Sequence, residues 1–203
     1  IKAALERANI APSDVGEVII GTVLQAGQGQ IPSRQAASKA GIPWHVKTET
    51  INKVCASGMR SITLGSQMIR LGDEEVIVAG GMESMSNAPY YLPQGRFGFR
   101  MGDATVVDGM VFDGLSCSFD PKKPHMGTYG NATADEFNIT REQQDAWAER
   151  SQRLAAASVD QFAQEIVPVE ILQRKGEPVV VDKDESIRPN TTLETLASLR
   201  PAF

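Results

Sequence analysis

Along the first 81 residues, apolar runs of strand length alternate with segments that have helical patterning. Apolar or alternating runs rich in β-branched residues predict strands at 17–24, 46–52 and 74–81. Helical patterns at 1–9, 32–41 and 56–71 precede and separate these runs. Strands separated by helices of this length indicate βαβ units, and we therefore expect an α/β fold with a mostly parallel sheet.

The segment 56–71 is not patterned like a surface helix. Its only charged residues are Arg60 and Arg70, and apolar or small residues occur nearly all round it. A surface helix would carry a single apolar stripe. We therefore expect this helix to be buried on most sides, with Gly58 and Gly65 allowing neighbouring elements to come close.

The patterning changes after Gly81. Residues 84–133 are rich in glycine, proline, methionine and aromatic residues and show little periodicity. An irregular excursion of this length is usually functional in a compact fold. We therefore expect two domains, an α/β core at 1–83 and an inserted loop domain at 84–203.

Regular patterning returns at Thr140, which together with Gln143 has the spacing of a capping box. It predicts a helix that continues to about Ala163. Short strands are expected in IVPVEI and PVVVD, followed by a last short helix capped by Thr191.

Composition narrows the classes of function. The 203 residues are 41% hydrophobic and 22% charged, which is ordinary for a globular chain with its own core. A net charge of −5 and the absence of any lysine or arginine run argue against a nucleic-acid partner. No apolar stretch approaches the length of a membrane span, and no secretory signal is visible. The two cysteines form neither a disulfide framework nor a zinc pattern, which favours a reducing, cytoplasmic location.

Cys55 lies in NKVCASGMRS, between a strand run and a helix run. At such a turn, unpaired backbone N–H groups and the positive helix end stabilise a thiolate. The same N–H groups can donate to an oxyanion on a bound acyl group, so the position suits acyl transfer. On location alone, an inert packed cysteine is the more common outcome, and a disulfide with Cys117 stays open.

Three long segments resemble the thiolase family. NKVCASGMRSITLGSQMIRLGDEEVIVAGGMESMSNAPY resembles its nucleophile segment, with Asn-x-x-Cys-x-Ser-Gly followed by Gly-Gly-Met-Glu-x-Met-Ser-x-Ala-Pro. PHMGTYGNATADEFNITREQQDAWAERSQ resembles its His-Met-Gly motif, and DESIRPNTTLETLASLRPAF resembles its coenzyme A-contacting stretch. The resemblance implies a layered αβα half with a sheet around a buried helix and an inserted α+β loop domain. The implied reaction is a Claisen condensation or its reverse, with acetyl-CoA C-acetyltransferase activity through an acyl-Cys55 thioester.

The resemblance also implies the site residues. Cys55 would be the catalytic residue that is acylated, and His125 and Met126 would border the acyl and pantetheine part of the pocket. Positions that match the coenzyme A groove are Leu115, Arg188, Thr195, Leu196, Ala202 and Phe203. Coenzyme A and acetyl-CoA would be substrates, and no metal or permanent cofactor is implied. As alternatives, Leu196 and Phe203 could be plain core residues and Arg188 a solvated surface charge.

The chain departs from the family pattern in several places. Residues 128–131 replace the usual Thr-Ala-Glu-Asn, and the loop before His125 is two residues longer. The pair His125-Met126 is typical of the acetoacetyl-CoA-forming branch, but chain length and reaction direction stay open. The family's first strand and its Gly-His-Pro and Cys-x-Gly motifs do not occur, and both ends look cut. We therefore expect a piece of a longer protein that is inactive by itself, and we interpret His45 and Cys117 as structural.

Partners and competing functions follow from the same resemblance. It implies a homo-oligomer, with a sheet edge pairing across a dimer and residues 84–110 helping to form a tetramer. A non-catalytic acyl-CoA binding or assembly module on the same scaffold is the main alternative, since a fold alone does not determine function. A ketosynthase-like condensing enzyme is a third option, disfavoured because those proteins lack the His-Met-Gly loop domain.

Overall fold

The computed structural model describes residues 1–203 and separates into two compact units, 1–125 and 126–203. The first unit is built on a three-stranded parallel sheet in the order β2-β1-β3. The bounds are β1 (Glu17–Gly21), β2 (Lys47–Ile51) and β3 (Ile77–Gly81). The predicted parallel sheet is confirmed, although each strand is shorter than the run that predicted it.

Strand β1 lies in the middle of this sheet, and all five of its residues are buried. Glu17 is in register with Lys47 on one side and Ile77 on the other. A continuous apolar run is what a strand covered on both faces requires. The sequence EVIIG is thus that of a buried strand, and the structure places this strand at the centre of the sheet.

Three helices connect and cover these strands, at α1 (Lys2–Ala8), α2 (Pro32–Lys39) and α3 (Ser57–Leu71). The turns after α1 and α3 use left-handed residues, Asn9 and Gly72. One buried cluster joins α1, α2 and the sheet, and it consists of Leu5, Val15, Val18, Ile20, Ala37, Ile42 and Val46. This cluster is the main core of the unit.

Helix α3 packs on the sheet through one face made of small residues. Ser57, Ser61 and Gly65 are buried there, while Met59 is 71% exposed and Leu71 is 78% exposed on the rest of the helix. The expectation that α3 is buried on most sides is therefore wrong for this chain. Only the sheet covers the helix here, and a sheet can bury one side of a helix.

Residues 84–125 contain little regular structure, as their patterning predicted. Strands β4 (Tyr90–Tyr91) and β5 (Val107–Asp108) form one short antiparallel pair. Single helical turns occur at Met85–Asn87, Gly95–Phe97 and Val111–Leu115.

The second unit contains four helices and one antiparallel strand pair. They are α4 (Met126–Glu136), α5 (Arg141–Ala157), α6 (Val159–Phe162), β6 (Val169–Ile171), β7 (Val179–Val181) and α7 (Leu193–Ala197). The capping box at Thr140 is confirmed. Sequence patterning missed α4, and the long predicted helix ends at Ala157, before α6. Thr192 caps α7, one residue later than expected.

The boundary between compact units follows His125, whereas the sequence suggested a change at residues 83 and 84. That earlier boundary was drawn from residue composition, and as a division into domains it stays a prediction. No helix of the structure has the length and apolar character that a membrane crossing needs.

Candidate active site

Cys55 is exposed on the turn between β2 and α3. This turn lies at the carboxyl ends of the parallel strands, the edge where α/β sheets bind their ligands. Beside it is a cavity of about 290 Å³ lined by Gly21, Val23, Val54, Cys55, Ser57, Gly58, Gly81, Met82 and Glu83. Neither Cys55 nor Cys117 forms a disulfide. The sulfur-bearing residue is thus accessible, unlike an inert cysteine packed in a core.

Glycines let the first turn of α3 approach the ends of two strands. A Cβ atom on Gly21 would lie 2.3 Å from the carbonyl carbon of Ser57, and one on Gly81 would lie 3.2 Å from the Cα of Gly58. Neither space can hold a side chain without moving the backbone. The absence of these Cβ atoms is what allows the helix end that carries Cys55 to lie against β1 and β3.

The turn that carries Cys55 is closed by its own hydrogen bonds. The Ala56 N–H donates to the Lys53 carbonyl at 3.2 Å, and the Ser57 N–H donates to the Val54 carbonyl at 3.0 Å. Ala56 occupies the cap position of α3 without a capping side chain. The Ser57 amide is therefore already bonded, so the expectation that the first helical N–H groups are open to an acyl oxyanion is wrong for this one.

Glu83 is a site residue to which sequence analysis gave no role. Its carboxylate accepts hydrogen bonds from the Thr22 hydroxyl at 3.1 Å, the Val23 N–H at 2.8 Å and the Leu24 N–H at 3.0 Å. These three bonds hold the loop after β1, which is why the apolar run at 17–24 stops being a strand at Gly21. A charged residue two positions after the end of β3 was the available signal.

Asn52 connects this loop to the Cys55 turn. Its side-chain N–H₂ donates to the Val23 carbonyl at 3.3 Å, and its side-chain oxygen accepts from the Val54 N–H at 2.9 Å. Glu83 and Asn52 together join the ends of all three strands around the cysteine. Both lie inside motifs that carried the resemblance, but their roles depend on contacts across the sheet.

Leu115 and His125 lie at the two ends of one small loop in the first unit. Ser116 pairs with His125 as an isolated antiparallel bridge, and the Cys117 N–H donates to the Pro124 carbonyl at 3.0 Å. Neither Leu115 nor His125 lines the cavity beside Cys55. Their predicted contact with the acyl and pantetheine groups stays a prediction.

In the second unit, the last residues pack on α4. The Asn131 side-chain N–H₂ donates to the Phe203 carbonyl at 2.8 Å. The Phe203 ring lies over Gly127, where a Cβ atom would come within 2.2 Å of it. Met126, the first residue of α4, is about half exposed. Gly127 thus gives the ring its place beside the predicted pantetheine residue Met126.

Arg141 links α5 to α7 and was also missed. It forms an ion pair with Asp145 at 2.9 Å, and its guanidinium donates to the carbonyl oxygens of Leu196 at 2.6 Å and Leu199 at 3.0 Å. A cavity of about 820 Å³ lies beside this contact, and its lining includes Arg141, Ala202 and Phe203. Three of the predicted coenzyme A residues, Leu196, Ala202 and Phe203, are therefore close to this cavity or line it.

Arg188 and Thr195 are exposed, and hydrogen bonds hold the backbone at both residues. The Arg188 N–H donates to the Gln152 side-chain oxygen on α5 at 2.7 Å, and the Thr191 hydroxyl donates to the Arg188 carbonyl at 2.8 Å. The Thr195 N–H donates to the hydroxyl of Thr192 in the cap of α7. The Arg188 guanidinium is thus presented on the surface from a fixed backbone, which is compatible with a phosphate contact and also with a solvated charge.

Comparison with known proteins gives consistent matches over the full chain. The sequence model of the family described as thiolase, N-terminal domain, matches residues 1–203. Acetyl-CoA acetyltransferases of Cupriavidus necator and Pseudomonas aeruginosa are 52% and 50% identical over 205 aligned residues. The crystal structure of the Bacillus anthracis acetyl-CoA acetyltransferase superposes with a TM-score of 0.92 at 38% identity.

These matches cover all of this chain but only part of each relative. The chain spans 52% of the Cupriavidus necator and Pseudomonas aeruginosa proteins and 51% of the Bacillus anthracis chain. It therefore corresponds to about half the length of the curated relatives that it matches.

Proposed function

We propose, from the premise that this chain belongs to the thiolase family, that the whole protein is an acyltransferase that makes or cleaves 3-ketoacyl-CoA. Here the whole protein means the protein at the length of its relatives. The observation that carries the proposal is the exposed Cys55 beside a cavity at the carboxyl edge of the parallel sheet. Relatives that are about 50% identical are named acetyl-CoA acetyltransferase, which supports acetyl-CoA as one substrate.

In the first half-reaction, the Cys55 sulfur attacks the carbonyl carbon of an acyl-CoA thioester. A sulfur–carbon bond forms to Cys55, the bond to the coenzyme A sulfur breaks, and free coenzyme A leaves with the proton that the Cys55 thiol gave up. The acyl group is then held as a thioester on Cys55. Two half-reactions with a covalent intermediate predict ping-pong kinetics.

In the second half-reaction, the α-carbon of another acyl-CoA attacks the carbonyl carbon of acyl-Cys55. A carbon–carbon bond forms, the bond to Cys55 breaks, and the thiolate is regenerated. The resemblance assigns removal of the α-proton to the Cys-x-Gly motif and activation of the nucleophile to the Gly-His-Pro motif. Neither motif occurs in the 203 residues, so we propose that these residues turn over no substrate by themselves.

For coenzyme A we propose contacts with Leu115, His125, Met126, Arg188, Thr195, Leu196, Ala202 and Phe203. The support is that Ala202 and Phe203 line a cavity of about 820 Å³, which has room for part of such a ligand. The exposed Arg188 would contact phosphate at the nucleotide end, because a guanidinium pairs well with phosphate oxygens. We also propose a homo-oligomeric assembly and a cytoplasmic location, as the family resemblance implies.

The deciding experiment is incubation of the whole protein with acetyl-CoA, followed by mass spectrometry of the cysteine-containing peptides. We expect a labile acetyl group on Cys55. Cys55→Ser should lower turnover by about a thousandfold or more while coenzyme A affinity is retained. Cys117→Ser is the matched control, because it removes the other cysteine and should leave acylation intact.

Other outcomes would redirect the proposal. A folded protein that binds acetyl-CoA without forming an adduct would favour the non-catalytic binding module. Loss of both acylation and coenzyme A affinity in Cys55→Ser would indicate that the residue has a structural role. Measurable condensation by residues 1–203 alone would contradict the assignment of the remaining catalytic groups to other parts of the whole protein.

A further inference from the structure

The residue before Cys55 has an unusual backbone conformation. Val54 has a φ of +49°, in the left-handed region that a β-branched side chain rarely adopts. Such conformations persist only where surrounding contacts enforce them, and they are frequent at functional sites. The contacts that enforce this one also determine where the next residue, Cys55, points.

One buried hydroxyl supplies much of that enforcement. The Ser57 hydroxyl donates to the Val54 carbonyl at 2.6 Å and accepts from the Lys53 N–H at 2.8 Å. Ser57 is only 4% exposed, so water cannot easily replace either bond. The hydroxyl thus bridges the N–H of Lys53 and the carbonyl of Val54, the two residues that precede Cys55, from a position two residues after it.

A second bond holds Val54 from its other side. The Asn52 side-chain oxygen accepts from the Val54 N–H at 2.9 Å. Between them, Asn52 and Ser57 bind both the N–H and the carbonyl of the left-handed residue. Asn52 is exposed, whereas Ser57 is anchored in the packed face of α3. Ser57 is therefore the fixed point of the turn.

Ser61 offers a comparison one helical turn further along. It is also fully buried on the same face, and its hydroxyl donates to the carbonyl oxygens of Gly58 at 2.6 Å and Gly80 at 2.8 Å. These bonds tie α3 to β3 without contacting residues 53–55. Two buried serines on one helix face thus have different roles, and only Ser57 acts on the backbone next to the sulfur.

We propose that Ser57 is a positioning residue for acyl transfer, acting through the left-handed Val54 peptide to direct the Cys55 sulfur toward the thioester. This rests on the proposed function, in which Cys55 is the acylated nucleophile. A nucleophile displaced by about 1 Å loses roughly a hundredfold in rate even when binding is unchanged. The loss expected on removing the hydroxyl therefore falls on the acylation rate and not on substrate binding.

The test compares Ser57→Ala with Ser61→Ala in the whole protein. Single-turnover acylation by acetyl-CoA gives a maximal rate and a half-saturating concentration for each variant. We expect Ser57→Ala to lower the maximal rate ten- to a hundredfold, with the half-saturating concentration changed less than about threefold. Ser61→Ala should keep the maximal rate within about threefold of the wild type, and Ser57→Thr, which retains the hydroxyl, should recover most of the loss.

Alkylation by iodoacetamide shows whether Ser57→Ala changes the reactivity of the Cys55 sulfur or only the direction in which it points. This small reagent needs no fixed approach, so the alkylation rate of Cys55 in Ser57→Ala should stay within about threefold of the wild type. If Ser57→Ala does not fold, Asn52→Ala provides the second variant, because it removes the other bond to Val54 at an exposed position. That variant should also lower the maximal acylation rate, by at least about threefold.

The results that would overturn the proposal are distinct from failure of the proposed function. Wild-type acylation in Ser57→Ala, or equal losses in Ser57→Ala and Ser61→Ala, would reduce Ser57 to a packing residue while leaving Cys55 as the nucleophile. An unchanged rate in Asn52→Ala would do the same where Ser57→Ala cannot be purified. No acylation of a folded wild-type protein would overturn both the positioning role and the proposed function.

Discussion

Strands β1 and β7 have similar apolar sequences but different surroundings. EVIIG in β1 is buried at every position, whereas each residue of VVV in β7 is exposed, with Val180 at 50%. The difference extends to the two units, since no residue of 126–203 is fully buried. An apolar run therefore predicts a strand, but how many other elements cover it determines how much it contributes to stability.

The polar contacts at the sheet edge also differ from those that cap the helices of the second unit. The sheet edge is held by bonds between residues far apart in sequence, such as Glu83 with the loop after β1. The second unit combines local capping boxes at Thr140 and Thr192 with long-range bonds such as those from Arg141 to the Leu196 and Leu199 carbonyl oxygens. We therefore expect substitutions at the sheet edge to have larger and wider effects than substitutions at these two caps.

The largest expected effect contrasts two glycines. Gly21→Ala places a Cβ atom against the Ser57 backbone, which cannot move without displacing α3, so we expect a loss of about 3 kcal/mol in unfolding free energy. Gly130→Ala meets nothing within 4 Å in α4 and should stabilise by about 0.5–1 kcal/mol, since alanine is the better helix former. Urea unfolding measures both. Equal small changes would show that α3 does not pack closely on β1.

A second comparison uses the same substitution in both strands. Val18→Ala removes buried methyl groups from β1 and should cost about 2 kcal/mol. Val180→Ala in β7 should cost less than about 0.5 kcal/mol, because the side chain is half exposed. Urea unfolding gives both values, and hydrogen exchange locates each effect. A cost at Val180 as large as that at Val18 would show that β7 is covered in the protein.

A smaller effect tests the local contacts of the second unit. Thr140→Ala removes the hydroxyl that accepts from the Gln143 N–H at 3.3 Å, and loss of such a cap costs about 1 kcal/mol. Thr140→Ser keeps the hydroxyl and serves as the control. Hydrogen exchange in the first turn of α5 should rise in the alanine variant alone. A rise that extends into β1 would contradict the local character of this cap.

The smallest effect concerns the pH dependence of the first unit. Burial raises the pKa of Glu17, with repulsion from Glu49 and Glu74 adding to it and attraction to Lys47 opposing it. A raised pKa means that the folded state holds the proton more tightly than the unfolded state. Stability linked to Glu17 is then complete below about pH 4.5 and is lost as the pH rises through the folded pKa.

Glu17→Gln should remove this slope and change stability near pH 7 by less than about 1 kcal/mol, because loss of the Lys47 attraction offsets part of the gain. Urea unfolding at several pH values between 4 and 7 measures both the slope and the change in stability. Glu177→Gln, at an exposed position of the second unit, is the control. If the stability of Glu17→Gln keeps the wild-type pH slope, that slope comes from other titrating groups.

Local patterning predicted the elements whose signals lie within a few residues. The three parallel strands and their helices followed from apolar runs, and the cap of α5 followed from Thr140 and Gln143. Helix α4 was missed because Gly127, Gly130 and its threonines are poor helix formers. Its contacts include the Phe203 ring on Gly127, which lies 76 positions away in the sequence and has no local signal.

By itself, the sequence determined the βαβ order, the place of Cys55 between β2 and α3, and the family motifs around it. Only the tertiary structure decided that Glu83 and Asn52 hold the turns of the sheet edge, that Ser57 supports a left-handed Val54, and that α3 buries one face alone. The physical reason is the range of the interactions involved. Periodicity and capping act over three or four residues, whereas a hydrogen bond across a sheet edge depends on where three separate strands end.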